Sequence, residues 1–251
     1  MSTVYDLLTT ADTIRSATVT PFDVFVSALW SKAMVDGAFR YTLDGTTVRS
    51  LDEGQYGFVV QNNPKRLTHK RVPVENRKLV EPFSPDQFNF NKITNEKEVI
   101  CVIRRRGDEF IDEHLAVINV SPIEANHFLL VPNPKDCLPQ VITQDSLLLC
   151  LQLMSLCERN DTCVVANSLL AYASVNHLHY HFISISYPLL AHRLDGKVLV
   201  DGVYELTNHP MKGFGFQCKD NKNNEELSKT ARKFEPILTE LWPSKRNGPI
   251  F

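Results

Sequence analysis

The residues with the most chemical capacity lie together in the segment Asn176-His177-Leu178-His179-Tyr180-His181, which holds three of the chain's eight histidines within five positions. In an extended strand side chains alternate between faces, so the three imidazoles project to one side at intervals of roughly 6–7 Å. Leu178, Tyr180 and Phe182 then face the other way, into a core. Three polar rings on one strand face mark a site or a well-hydrated surface; the bland alternative is a half-exposed strand that happens to be rich in histidine. Two chemistries fit the pattern. Histidines at i and i+2 can share a zinc or iron ion, but a further ligand is then needed and no acidic residue follows until Asp195. His192 or a distant histidine would have to serve. Alternatively, a neutral imidazole is a good nucleophile near pH 7 when one nitrogen is free and the other is held by an acceptor. Neighbouring imidazole and backbone donors would then stabilise charge on a phosphoryl group.

Several elements are needed to position this segment. Pro21 and Asp23 suit the first turn of a helix capped by Thr20. Phe22, Phe25, Val26, Leu29, Trp30 and Ala33 follow at helical spacing, and Gly37 ends the run. Residues 55–61 read as a strand, followed by a basic segment containing Lys65, Arg66, His69, Lys70 and Arg71. The β-branched runs 98–104 and 115–120 flank Gly107-Asp108, a hairpin signal. Residues 127–131 form a short strand closed by Pro132 and Pro134. A helix capped by Asp145 runs to about Cys157, and residues 163–166 lead into a strand over 175–187. Another strand region, 197–206, follows a tight turn at Asp195-Gly196. A helix over 224–241, capped by Asn224, is kinked or divided by Pro236. Strands outnumber helices and are adjacent in sequence, so the expected class is α+β: a mostly antiparallel sheet with flanking helices. Regular β-α-β alternation, a G-x-G-x-x-G turn and a Walker A loop are all missing.

Composition narrows the field without choosing a function. The chain has 251 residues, 43% hydrophobic and 22% charged, with 27 basic against 29 acidic side chains. That excludes low-complexity and collagen-like classes and gives no sign of a nucleic-acid-binding surface. No segment is long and apolar enough to span a bilayer, and residues 1–16 lack the features of a signal peptide. The six cysteines form no C-x-x-C pair, which reads as reduced core thiols in a cytoplasmic protein.

The histidine segment resembles the motif of the histidine-triad superfamily of nucleotide hydrolases and transferases. The likeness extends further. NSLLAYASVNHLHYH (167–181), INVSPIEANHFLLVPNPKDCLPQ (118–140), GAFRY (37–41), QYGFVVQNN with Arg66 (55–66) and PFSPDQFNFNKI (82–93) resemble, in order, the GDP-D-glucose and GDP-L-galactose phosphorylase family. The resemblance implies a histidine-triad-like sheet and a two-step transfer. His179 would attack the α-phosphorus of a GDP-hexose, releasing hexose 1-phosphate. Inorganic phosphate would then take the guanylyl group, giving GDP, with no metal or other cofactor. His177 would orient the nucleophile, mainly through its backbone, and His181 would hydrogen-bond the phosphate or leaving group. A histidine rather than glutamine at position 181 favours GDP-glucose.

The resemblance also implies substrate-binding roles for Asn167, Ser168, Ser174, His127, Asn91, Lys92 and Arg66. Asn89 would help shape the nucleotide pocket, and Lys70 and Arg71 would join the basic loop. His127 reads equally well as a structural half-buried histidine, and Asn89, Asn91, Lys92 and the basic loop as loop structure. Leu170 stands where the family usually has glycine. The expected organisation is a single domain over 1–251, with an N-terminal region of about 1–95 and a catalytic core of about 96–245. The family's C-terminal part is expected to be missing, and a homodimer is expected. Two other readings stand beside this one: a guanine-nucleotide-binding paralog without turnover, and a metal-dependent hydrolase using the histidine cluster.

Overall fold

The computed structural model describes residues 3–51, 54, 56–69, 78–187, 189–190 and 195–236. Its centre is a seven-stranded sheet in the order β2-β1-β5-β6-β7-β9-β8. The strands are β1 (Val4–Thr9), β2 (Ile14–Ser16), β5 (Val99–Arg106), β6 (Ile111–Ile118), β7 (Phe128–Val131), β8 (Thr162–Val165) and β9 (Tyr180–Ser184). Only β1 and β5 pair in parallel; every other neighbour is antiparallel. Two small sheets stand apart: β3 (Thr47–Ser50) with β4 (Val59–Asn62), and β10 (Gly196–Val200), β11 (Val203–Leu206) and β12 (Phe214–Phe216). The α+β class expected from the sequence holds. No described helix is long and apolar enough to cross a membrane.

The two faces of the large sheet have different tasks. Of the helices α1 (Phe22–Val35), α2 (Pro64–His69) and α3 (Gln144–Ser155), the first and third cover one face. Phe22, Val26, Trp30, Leu149 and Leu153 meet Tyr5, Ile103, Phe128, Leu130, Tyr180 and Phe182 there in one buried core. Strand alternation sends the intervening residues to the other face. Leu129 and Val131 join Val117, Phe90 and Val175 in a smaller cluster. The register Phe128↔Phe182, Leu129↔His181, Leu130↔Tyr180 therefore puts His181 on the face that α1 and α3 leave open.

Some local expectations are corrected. The residue flanking α1 is Pro21, whose backbone is extended, and Thr20 does not cap the helix. Asp23 lies in the first turn of α1 as expected, and it is also buried and accepts the amide protons of Glu158 and Arg159 after α3, which joins two elements. Helix α3 is capped by Thr143, which forms a reciprocal capping box with Ser146; Asp145 lies in the first turn. The cap of the C-terminal helix α4 (Asn224–Lys233) is Asn223, not Asn224, and residues 237–241 lie outside the described residues. The Asp-Gly turn between the late strands is Asp201-Gly202, with Gly202 at φ 70°, whereas Gly196 already belongs to β10. Strands β1 and β2 have no counterpart in the sequence reading. The strand expected over 175–187 is regular only at Tyr180–Ser184. Its partner β7 stops at Val131, before Pro132, so residues 176–179 have no ladder to join. The Leu178 amide instead donates to the Leu138 carbonyl at 2.9 Å.

Candidate active site

The open face of the sheet forms the floor of a cleft of about 1190 Å³, lined among others by His179, His181, Arg66, Lys92, Asn167 and Leu170. His179 is buried at its inner wall, 3% exposed, with its ring 5.3 Å from that of His181. His177 is fully buried behind this wall, its ring against Phe83 and Phe90. The three imidazoles thus share a side, as alternation requires, but only two reach the cleft.

Hydrogen bonds assign the proton on each ring. His179 Nδ1 lies 2.8 Å from the His177 carbonyl, an obligate acceptor, so Nδ1 carries the proton and Nε2 carries a lone pair. His177 Nδ1 accepts the Phe90 amide at 3.1 Å, which puts its proton on Nε2. That nitrogen is buried with no hydrogen-bond partner among the described residues. The nearby Pro134 carbonyl favours the protonated ring but already accepts from Asn91 Nδ2 at 2.8 Å. His127 Nδ1 accepts the Ile123 amide at 3.0 Å, so Nε2 carries the proton; it lies 2.9 Å from His181 Nδ1 and 3.1 Å from Asn119 Nδ2, and of these two only the imidazole nitrogen can accept it. His181 is then left with its proton on Nε2. The outcome is a lone pair on His179 beside an N–H donor on His181.

Burial keeps these rings neutral. It pushes His179 down to about 3, with the neighbouring His181 adding to the effect. Burial holds His177 at about 4. His181 is also held at about 4, by burial and then by the positive charge of Arg66. His127 lies well below the ordinary imidazole value, through burial first, then the neighbouring His181, then the positive charge of Arg66.

Gln140 fixes the peptide unit of His179 and went unnamed in the sequence reading. Its side chain is 2% exposed. Oε1 accepts the His179 amide at 2.9 Å, while Nε2 donates to the carbonyls of His179 and Asn167, both at 3.1 Å. A glutamine at the end of an apolar, proline-rich stretch was the available signal. Asn176 completes the support: its Oδ1 accepts the Gln140 amide and its Nδ2 donates to the carbonyls of Glu81 and Pro82.

The other sequence-predicted residues separate into two groups. Asn167, Ser174, Arg66 and Lys92 line the cleft, as does Leu170, which is 57% exposed. Ser168, Asn91, Asn89 and His127 do not. Ser168 accepts the amides of Ala171 and Ala173 through its carbonyl, and Asn91 ties its turn to Pro134. The side chain of Asn89 caps the short turn Phe90–Lys92. His127 is 0% exposed, and its ring bonds His181 instead of lining the cleft. Lys70, Arg71 and His192 lie outside the described residues. Among the described residues, no group of three or more His, Cys, Asp or Glu side chains is placed to hold a metal ion.

Comparison with known proteins agrees with the motif pattern. A family model described as "GDPGP1-like, N-terminal domain" matches residues 21–183. GDP-D-glucose phosphorylase 1 of Danio rerio is 36% identical over 197 residues, covering 78% of this chain and 56% of the relative. The protein of the same name from Xenopus laevis is 29% identical across 88% of this chain and 64% of the relative. GDP-L-galactose phosphorylase 2 of Arabidopsis thaliana is 33% identical across 78% of this chain and 50% of the relative. The chain spans about half the length of the curated relatives it matches. No solved structure matches it.

Proposed function

The chain belongs to the GDPGP1-like family, and from that premise we propose that it is a GDP-hexose phosphorylase, a nucleotidyltransferase of histidine-triad type. The observation that carries the reading is the 2.8 Å contact of His179 Nδ1 with the His177 carbonyl, which leaves the Nε2 lone pair available at the cleft wall. In the first step that lone pair attacks the α-phosphorus of GDP-glucose. A P–N bond forms, the P–O bond to hexose 1-phosphate breaks, and the bond's electron pair leaves with the oxygen. In the second step an oxygen of inorganic phosphate attacks the same phosphorus, and the P–N electron pair returns to Nε2 as GDP departs. His181 Nε2–H donates to the phosphoryl oxygens as charge builds up. His177 holds the nucleophile's proton through its carbonyl, and Gln140 holds the peptide between them.

Asn167, Ser174 and Lys92 are the substrate contacts in this reading, with Arg66 at the phosphate end. GDP-glucose is preferred over other GDP-hexoses because of the histidine at position 181 and because relatives named for GDP-D-glucose phosphorolysis match. All six cysteines are free thiols, in keeping with a reducing cytoplasm. A homodimer belongs to the same proposal; β8 is an edge of the large sheet among the described residues, and sedimentation of the pure protein tests the pairing. The decisive experiment mixes the protein briefly with GDP-glucose in the absence of phosphate and weighs it. A GMP adduct on His179, lost in His179→Asn, is the expected result. Turnover without an adduct refutes the mechanism. Tight GDP binding with neither adduct nor turnover identifies a binding paralog instead.

A further inference from the structure

Two arginines enter the cleft at one corner, where the chain leaves β6. The backbone amide of Arg40 donates to the Val120 carbonyl at 3.0 Å, and Arg40 Nη1 donates to the His69 carbonyl at 3.3 Å. Arg66 Nη1 donates to the Ser121 carbonyl and to the Tyr41 hydroxyl, the latter at 3.1 Å. Both arginines line the cleft, and among the described residues neither pairs with a carboxylate. Ser121 also lines the cleft; it is 7% exposed and its Oγ has no hydrogen-bond partner among the described residues. The other charged residues of the lining, Lys92 and Glu98, come from the separate 88–98 stretch. The corner therefore combines two guanidinium groups lacking a carboxylate counter-charge with an orphaned hydroxyl, next to the histidine pair. The field of Arg66 at both His127 and His181 is an independent sign of that proximity.

The geometry points to this corner as the β-phosphate subsite, built by Arg66 and Arg40 with Ser121. It would hold the phosphate of hexose 1-phosphate in the first half-reaction and inorganic phosphate in the second. The inference rests on the phosphorylase reading. The second half-reaction is the reverse of the first with hydrogen in place of the hexose, so leaving and entering phosphates occupy the same position. Hydrogenphosphate attacks through an oxygen that already carries charge. The new P–O bond forms, the P–N bond breaks, its electrons return to His179, and no proton has to be removed. Water would need a base, yet the hydrogen bonds already use the acceptor nitrogens of His181 and His127. A cationic corner that concentrates phosphate, beside imidazoles whose acceptor nitrogens are already taken, favours phosphorolysis over hydrolysis.

The test separates the two half-reactions. The His179 adduct is first formed with GDP-glucose without phosphate. Inorganic phosphate is then titrated in, and GDP and GMP are both counted. For Arg66→Gln and Arg40→Gln the adduct should still form, more slowly. The phosphate concentration that gives equal GDP and GMP should rise about tenfold or more, consistent with loss of a charge-assisted hydrogen bond. Arg66 also holds Tyr41 and Ser121, so Arg40→Gln serves as the variant with fewer local contacts. Adduct formation with a GDP-to-GMP ratio within twofold of the unaltered protein in both variants overturns the subsite alone. Absence of adduct in the unaltered protein overturns the phosphorylase reading and the subsite with it.

Discussion

Gln140 is the sharpest place to perturb this site without touching any group that meets substrate. Substituting methionine keeps the length and removes all polar capacity. Three hydrogen bonds are lost, at 2.9, 3.1 and 3.1 Å. A net contribution of about 1 kcal/mol per bond gives a loss of about 3 kcal/mol. The His179 amide and carbonyl are left buried without partners, which adds to this, while water can reach the Asn167 carbonyl and offset part of it. For a chain of this length about 3 kcal/mol corresponds to a fall of about 6–12 °C in melting temperature. The effect on chemistry should be larger, because a nucleophile displaced by about 1 Å loses about a hundredfold in rate. Gln140→Glu tests the same clamp from another direction. A carboxylate still accepts the His179 amide but repels the two carbonyls, and protonation restores one donor. Its adduct formation should recover as pH falls through the carboxyl's titration, a signature that a generally loosened fold lacks. The assays are thermal melting and quench-and-weigh measurement of the guanylyl adduct at two or more pH values. If Gln140→Met melts within about 2 °C of the unaltered chain and forms adduct within threefold of its rate, the clamp argument is wrong.

Three further outcomes follow from the same geometry. His177 and His179 keep depressed values of about 4 and 3 in the folded chain, whereas an unfolded histidine titrates near 6.5. The unfolded state therefore binds protons first as pH falls. Stability is full above about pH 6.5 and is lost toward pH 4, by about 2 kcal/mol per histidine at pH 5. Denaturant titrations at pH 7 and pH 5 measure this, and His179→Asn should shrink the drop by about 2 kcal/mol; equal drops in both proteins contradict it. His127→Leu removes the donor that fixes the His181 tautomer and should lower kcat about 10- to 100-fold with KM little changed, as steady-state kinetics will show. Asp112→Ala leaves Arg105, which is 3% exposed, with Asp145 as its remaining carboxylate and His114 without its acceptor. A loss of about 3 kcal/mol is expected by chemical denaturation, and a change below about 1 kcal/mol refutes it.

Much of the site was legible because its information is local. The alternation of His177, Leu178, His179, Tyr180 and His181 predicts which side chains face the core, and Leu178, Tyr180 and Phe182 are indeed buried there. The Gly107-Asp108 hairpin signal and the helical spacing from Phe22 onward were likewise local and correct. The N-terminal strand β1 was not legible, because its parallel partner β5 begins about ninety residues later. The sequence ladder through His177 and His179 was overextended, because the end of β7 at Pro132 depends on which strand lies alongside.

Residue types and spacing alone determined that three imidazoles share one side of the chain, and left metal binding and nucleophilic attack both open as their chemistry. Which nitrogen of each ring carries the proton was decided by the fold. The His177 carbonyl, the Phe90 amide and the Ile123 amide each impose a donor or acceptor on one nitrogen, and the other nitrogen follows. The fold likewise separated His177 and His127, which do not line the cleft, from His179 and His181, which do. Depth within a packed structure and the identity of a distant hydrogen-bond partner are properties of tertiary contacts, and periodicity carries no record of either.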